Sequence, residues 1–279
     1  MTVAEIGPTL GVTYRAMVAT FVIACATLAH AETKPQISIA TKSVEVTLTV
    51  DPALRKFPGL YEDSLAEGRR WAERNRAEAA KAARDEPEFF REGRRWTFER
   101  SYELRSAVGG YISVLRDDGT YTGGAHPNSY INTILWDRTT RKRISIRPFF
   151  RETVDNGPTM TTLARLARIA VAAEKLARDT INVDVPKEKL TPERLAELDT
   201  FIADGVQPSL LKIGPISLAP STEAGKSAGL TFHYSPYAVG AYAEGPYTVF
   251  VPWTAFEPHL SPQGAAIFGG QRPASDSNP

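Results

Sequence analysis

Cysteine is almost missing from this chain: Cys25 is the only one in 279 residues. That excludes an internal disulfide and any zinc cluster built on several thiolates. Net charge is almost missing too. Thirty-three lysines and arginines oppose 32 aspartates and glutamates, leaving +1, so nothing draws the chain as a whole to nucleic acid or acidic lipid. Histidine is scarce. Beyond residue 31 there are only His126, His233 and His259, with no i,i+2 or i,i+4 pair to form a local metal clip, and no cofactor is implied. Long apolar runs are missing as well. The longest, Ala16 to Ala29, has 14 residues and is interrupted by Thr20 and Thr27. A spanning helix needs roughly 20.

What is present describes an exported globular protein. Apolar residues make up 42% and charged residues 23%, ordinary globular usage that excludes global disorder. Arg15, the short apolar run and Ala29-His30-Ala31 form a secretory signal peptide cut after Ala31. Val22-Ile23-Ala24-Cys25 also fits a bacterial lipobox, in which Cys25 is acylated and anchors the chain to lipid. Either reading puts the protein in the periplasm or cell envelope, with no membrane span in the mature chain. Glu5 and Arg15 cancel, so cleavage leaves the charge unchanged.

Residues 36–50 alternate polar and β-branched side chains, which predicts one strand with a bulge near Lys42-Ser43. Residues 61–86 predict a helix with Leu65, Trp71, Ala72 and Ala79 on its apolar stripe. Residues 60–105 hold eleven basic and eleven acidic side chains, a solvated face rather than a nucleic-acid patch. Strands follow at 96–104, 111–115, 130–136 and 143–146, with turns at Asp117-Asp118-Gly119 and 137–141, making a β-meander. Residues 159–181 predict a helix, and Thr191-Pro192 starts a second that Gly205 ends. Short strands are expected at 213–218, 229–234 and 247–253. Parallel βαβ units do not alternate regularly, so the expected fold is α+β, a largely antiparallel sheet packed with helices. The expected divisions are a signal peptide at 1–31, a strand-helix-meander region at 36–145, a helix pair with strands at 146–262, and a frayed tail at 263–279.

Two local patterns fail as catalytic motifs. Gly225-Lys226-Ser227-Ala228-Gly229 matches G-x-S-x-G, but a strand follows it where the nucleophile elbow needs a helix. The same Gly225-Lys226-Ser227 lacks the first glycine of a phosphate loop, since position 220 is Pro220. Two other segments stay open. Tyr121-Thr122-Gly123-Gly124-Ala125-His126-Pro127-Asn128 is either a shaped inter-strand loop or a recognition loop. Residues 137–151, with a local charge of +5, are either a solvated hairpin face or an attachment surface for an anionic envelope polymer.

The YTGGAHPN segment resembles the core motif of the RsiV/PdaC-type extracytoplasmic domains. The stretch Asp137 to Phe150 is similar to the turn and strand that follow in that family, with Arg141 in place of the turn glycine and Pro148 in place of an acidic residue. A third stretch, from Gly229 through Tyr237 and Ala241-Tyr242-Ala243-Glu244-Gly245-Pro246 to Trp253, resembles its C-terminal signature. The resemblance spans about residues 36–262. In the anti-sigma-factor members this region binds lysozyme, and in the deacetylase members it precedes a separate catalytic module acting on peptidoglycan. The chain has no counterpart of that module or of a sigma-binding segment. The resemblance implies a non-catalytic binding module for a lysozyme-like muramidase or a peptidoglycan-type glycan, not an enzyme. Tyr121, Gly123, Gly124, His126, Pro127, Tyr237 and Tyr242 are its expected centre. The alternatives are a wall-polymer hydrolase with His126 as general base, which requires a carboxylate or hydroxyl beside the ring in a cleft, and a structural envelope protein attached through residues 138–151.

Overall fold

The computed structural model describes residues 34–276. The expected signal peptide, with Cys25, Ala29 and Ala31, lies outside the described residues. The described residues form one compact unit.

Strands β1 (Ile37–Ala40), β2 (Val44–Val50), β3 (Trp96–Val108), β4 (Tyr111–Tyr121), β5 (Asn128–Asp137) and β6 (Lys142–Ile144) form one sheet in chain order. Every pairing is antiparallel except β2–β3, which is parallel and bridged by helix α1 (Pro58–Asp85). A parallel neighbour needs a crossover, and α1 supplies it. Residues 36–50 are therefore a hairpin, not one bulged strand. The Thr41 hydroxyl accepts the N–H of Val44 at 3.1 Å and closes the turn. Asp117-Asp118-Gly119 does not turn the chain either. All three lie inside β4, where Asp118 faces Arg100 across the strand pair.

The second layer carries α2 (Pro158–Arg178), α3 (Pro192–Leu198), α4 (Thr200–Gly205) and a three-stranded antiparallel sheet of β7 (Ile216–Leu218), β8 (Gly229–Tyr234) and β9 (Tyr247–Pro252). The expected second helix is two helices. Thr191 caps the first through Arg194 N–H, and Asp199 caps the second through Ile202 N–H.

A β-bulge decides which face β3 offers. Before it, Phe98, Arg100 and Tyr102 point at α1. The register shift between Leu104 and Ser106 reverses the alternation, so Ser106 and Val108 point at the second layer. There the hydroxyls of Ser113 and Thr133 accept the N–H groups of Leu218 and Ile216 at 3.0 and 3.1 Å, and Ser106 donates to the Leu218 carbonyl. The free edge of β7 is thus satisfied by hydroxyls from the large sheet.

The expected frayed tail is packed over its described length. Helix α5 (Pro262–Ile267) is capped by Ser261, Phe268 joins the core, and Asp276 pairs with Arg105 at 2.8 Å. Its composition lacks a periodic face because it docks through isolated contacts. At Gly264 an added Cβ would stand 2.0 Å from the Phe149 carbonyl oxygen. Gly264→Ala is expected to cost about 1–3 kcal/mol, the scale of overpacking in a core. Urea denaturation checks this, and a free tail would give no change in midpoint.

Candidate functional site

Three rings meet beside the loop between β4 and β5, His126 from that loop and two tyrosines from more than a hundred residues further along the chain. His126 stacks on Tyr242 with centroids 3.7 Å apart, and Tyr237 sits 6.2 Å from His126 and 5.4 Å from Tyr242. Polar tips hold the rings in place. His126 Nδ1 lies 3.0 Å from the Pro127 carbonyl, so this nitrogen carries the proton. In the neutral ring, Nε2 then accepts from the Tyr237 hydroxyl at 3.3 Å. Tyr242 donates its hydroxyl to the same Pro127 carbonyl at 2.7 Å. Tyr237 has φ +70° and is 57% exposed, an unfavourable backbone and side-chain state for a tyrosine.

The rest of the loop supplies shape. Gly123 and Gly124 both have positive φ, +101° and +114°, and a Cβ at Gly123 would meet the Phe89 ring at 2.8 Å. Tyr121 donates to the Gly124 carbonyl at 3.4 Å. The seven expected site residues therefore divide into a ring cluster with Pro127 and a glycine-shaped loop braced by Tyr121.

His126 has no carboxylate as a hydrogen-bond partner. Its neighbours are the Pro127 carbonyl, the Tyr237 hydroxyl and the stacked Tyr242 ring. Ser227 of the G-x-S-x-G match is wholly buried and shares its hydroxyl proton between the Ala219 and Gly229 carbonyls. Among the described residues no group of three or more His, Cys, Asp or Glu could hold a metal ion, and no helix is long and apolar enough to cross a membrane.

The basic segment is less free than its composition suggests. Arg143 reaches Asp63 and Glu67 on α1 at 2.7 and 2.6 Å, and Arg151 donates to the Leu260 carbonyl. Burial raises the Glu67 pKa, but the hydrogen bond and charge of Arg143, with Arg116 and Arg100, outweigh it and hold the carboxyl below its usual range. Arg141 keeps the left-handed turn conformation, φ +54°, at the position where the resembling family has glycine.

A second component of the site has no motif in the sequence. Beside Tyr242 and Pro127, the large sheet has a face that the second layer leaves open. Two adjoining hollows of ≈410 and ≈350 Å3 lie there, sharing Glu99, Gly119 and Pro127; Tyr242 lines the first and Tyr121 the second. The available signal was the period-two polar positions of β2 and β3, which read as an ordinary solvent face.

Two solved structures are similar to the chain. One is a DUF3298 family protein from Pseudomonas aeruginosa PAO1, with 18% identity and a TM-score of 0.48, covering 85% of this chain and 93% of that one. The other is a member of the DUF3298 family from Bacteroides fragilis, with 16% identity and a TM-score of 0.40, covering 76% and 70%. The chain matches no curated protein. Residues 161–254, which hold Tyr237 and Tyr242, match the family model described as "Protein of unknown function (DUF3298)".

Proposed function

We propose that the chain is an exported, non-catalytic binding module of the bacterial envelope, whose partner is a muramidase-type protein or a cell-wall glycan. The observation that carries this reading is the preassembled cluster of His126, Tyr237 and Tyr242, held by polar tips with Tyr237 exposed. Rigid aromatic side chains with a polar handle give contact area at low entropic cost, which suits either partner. The likeness to RsiV/PdaC-type domains supports the choice of partners.

Calorimetric titration with lysozyme and with muropeptides tests the reading. One of the two is expected to bind, and Tyr242→Ala to weaken it by roughly tenfold or more, as for an anchor residue. No binding of lysozyme, of muropeptides or of any other wall-type saccharide at high micromolar concentration overturns it. The mature N-terminus, measured by mass spectrometry, separates cleavage after Ala31 from acylation at Cys25.

A further inference from the structure

The floor of the open groove is a two-row polar lattice. Strand register aligns Thr47, Glu99, Gly119 and Ser129 across β2, β3, β4 and β5 in one row. Thr49, Ser101, Asp117 and Ile131 align in the next. Six of these eight positions carry a hydroxyl or a carboxylate, set at the strand spacing of about 4.8 Å, and Ile131 is the apolar end of the second row. Gly119 leaves a gap in the first row, and the Glu99 carboxylate borders it, 3.8 Å from where a Gly119 Cβ would stand. Among the described residues, neither Glu99 nor Asp117 has a cation within ion-pair distance. Asp117 accepts only the Ser129 hydroxyl, at 2.8 Å. Tyr242, backed by His126, stands at the wall.

We propose that this groove binds an oligosaccharide of amino sugars with free amines. This rests on the reading of the chain as a binding module and names the ligand class. Three observations select the ligand. Two hollows in series suit a linear chain of rings, and their volumes lie in the range of small-ligand pockets, roughly 300–1,000 Å3. The regular net of hydroxyl and carboxylate groups matches the hydroxyls of successive pyranose rings, with Tyr242 as the stacking wall. Two carboxylates without counter-ions complement ammonium groups and repel the acidic groups of a carboxylated glycan.

The test titrates the full chain in mildly acidic buffer. The probes are a β-1,4-linked glucosamine tetramer, its fully N-acetylated counterpart, and lysozyme. The glucosamine tetramer is expected to bind, and the acetylated one at least tenfold more weakly. Glu99→Gln and Gly119→Val are each expected to weaken binding at least tenfold with Tm unchanged or raised. Gly119 lies in an extended strand, and an added Cβ meets Glu99 Cβ at an ordinary 3.5 Å, so the valine fills the gap without straining the fold. Equal binding of the two tetramers, or full binding by Gly119→Val, overturns the inference. Binding of lysozyme with no saccharide bound also overturns it but leaves the binding-module reading standing. Silence toward all three probes and toward muropeptides removes both.

Discussion

Lys175→Met is expected to destabilise the fold by about 3–5 kcal/mol, the cost of removing one partner from a buried ion cluster. Lys175 is 0% exposed, and its ammonium lies 2.9 Å from Asp199 and 3.2 Å from Glu244. Both carboxylates have further duties. Asp199 caps α4 through Ile202 N–H. Glu244 accepts from Ala241 N–H, the Asn182 amide and the Tyr247 hydroxyl. Burial raises the Glu244 pKa, and those hydrogen bonds together with the Lys175 charge outweigh it, keeping the carboxyl low. Methionine fills much the same length but leaves two buried carboxylates without their cation. The measurement is a shift in urea midpoint at constant m-value. Adding Asp199→Asn to Lys175→Met is expected to cost less than the sum of the single changes, because one of the stranded charges is gone. A loss under about 1 kcal/mol would mean that water reaches the cluster.

This cluster also marks where reading the sequence stops. Lys175 falls on the expected helix 159–181, one position from the core-facing Leu176, and nothing local distinguishes it from a solvated lysine. Its partners lie 24 and 69 residues away. The helices and most strands were legible because their signals are local: a period in apolar residues and the Thr191 cap. Three features were not. The turn of the β1–β2 hairpin, Thr41-Lys42-Ser43, has no glycine, proline or asparagine to announce it, and the parallel β2–β3 pair depends on a partner beyond α1. Asp117-Asp118-Gly119 carries strong turn chemistry, yet Asp118 is committed to Arg100 in a half-buried network under α1 and stays in the strand. The C-terminal segment docks by single contacts at Gly264, Phe268 and Asp276, which no periodicity announces.

The site divides in the same way. Tyr237 and Tyr242 were named from a motif likeness, and the structure puts them against His126 from 111 and 116 residues away. The groove floor was invisible because each of its residues is unremarkable alone. Thr47, Glu99, Asp117 and Ser129 become a surface only through register, and in the β2–β3 pair the register joins residues 52 positions apart. Gly119, read as a turn residue, is a gap in a strand.

Acid will weaken the fold between pH 7 and pH 5 by about 2 kcal/mol through His233 alone. This histidine lies on β8, 1% exposed, with Nε2 2.9 Å from the Ser217 hydroxyl. Burial, and secondarily the positive charge of Arg105, push its pKa down to about 3. In the unfolded chain the ring titrates near 6.5. Between those values the unfolded state binds a proton that the native state refuses, so stability rises with pH. It is complete above about pH 6.5 and is lost at about 1.4 kcal/mol per pH unit as the pH falls toward 3. The carboxyls of Glu67, Glu244 and Asp276 are held below their ordinary values, so their contribution is lost only at lower pH and does not enter the window above pH 5. His233→Gln keeps an amide nitrogen near the position of Nε2 for Ser217 and removes the titration. The wild type is expected to lose about 2 kcal/mol more than this variant between pH 7 and pH 5, measured by urea unfolding at both values. Parallel losses in the two proteins would show that the ring takes up its proton without leaving the core.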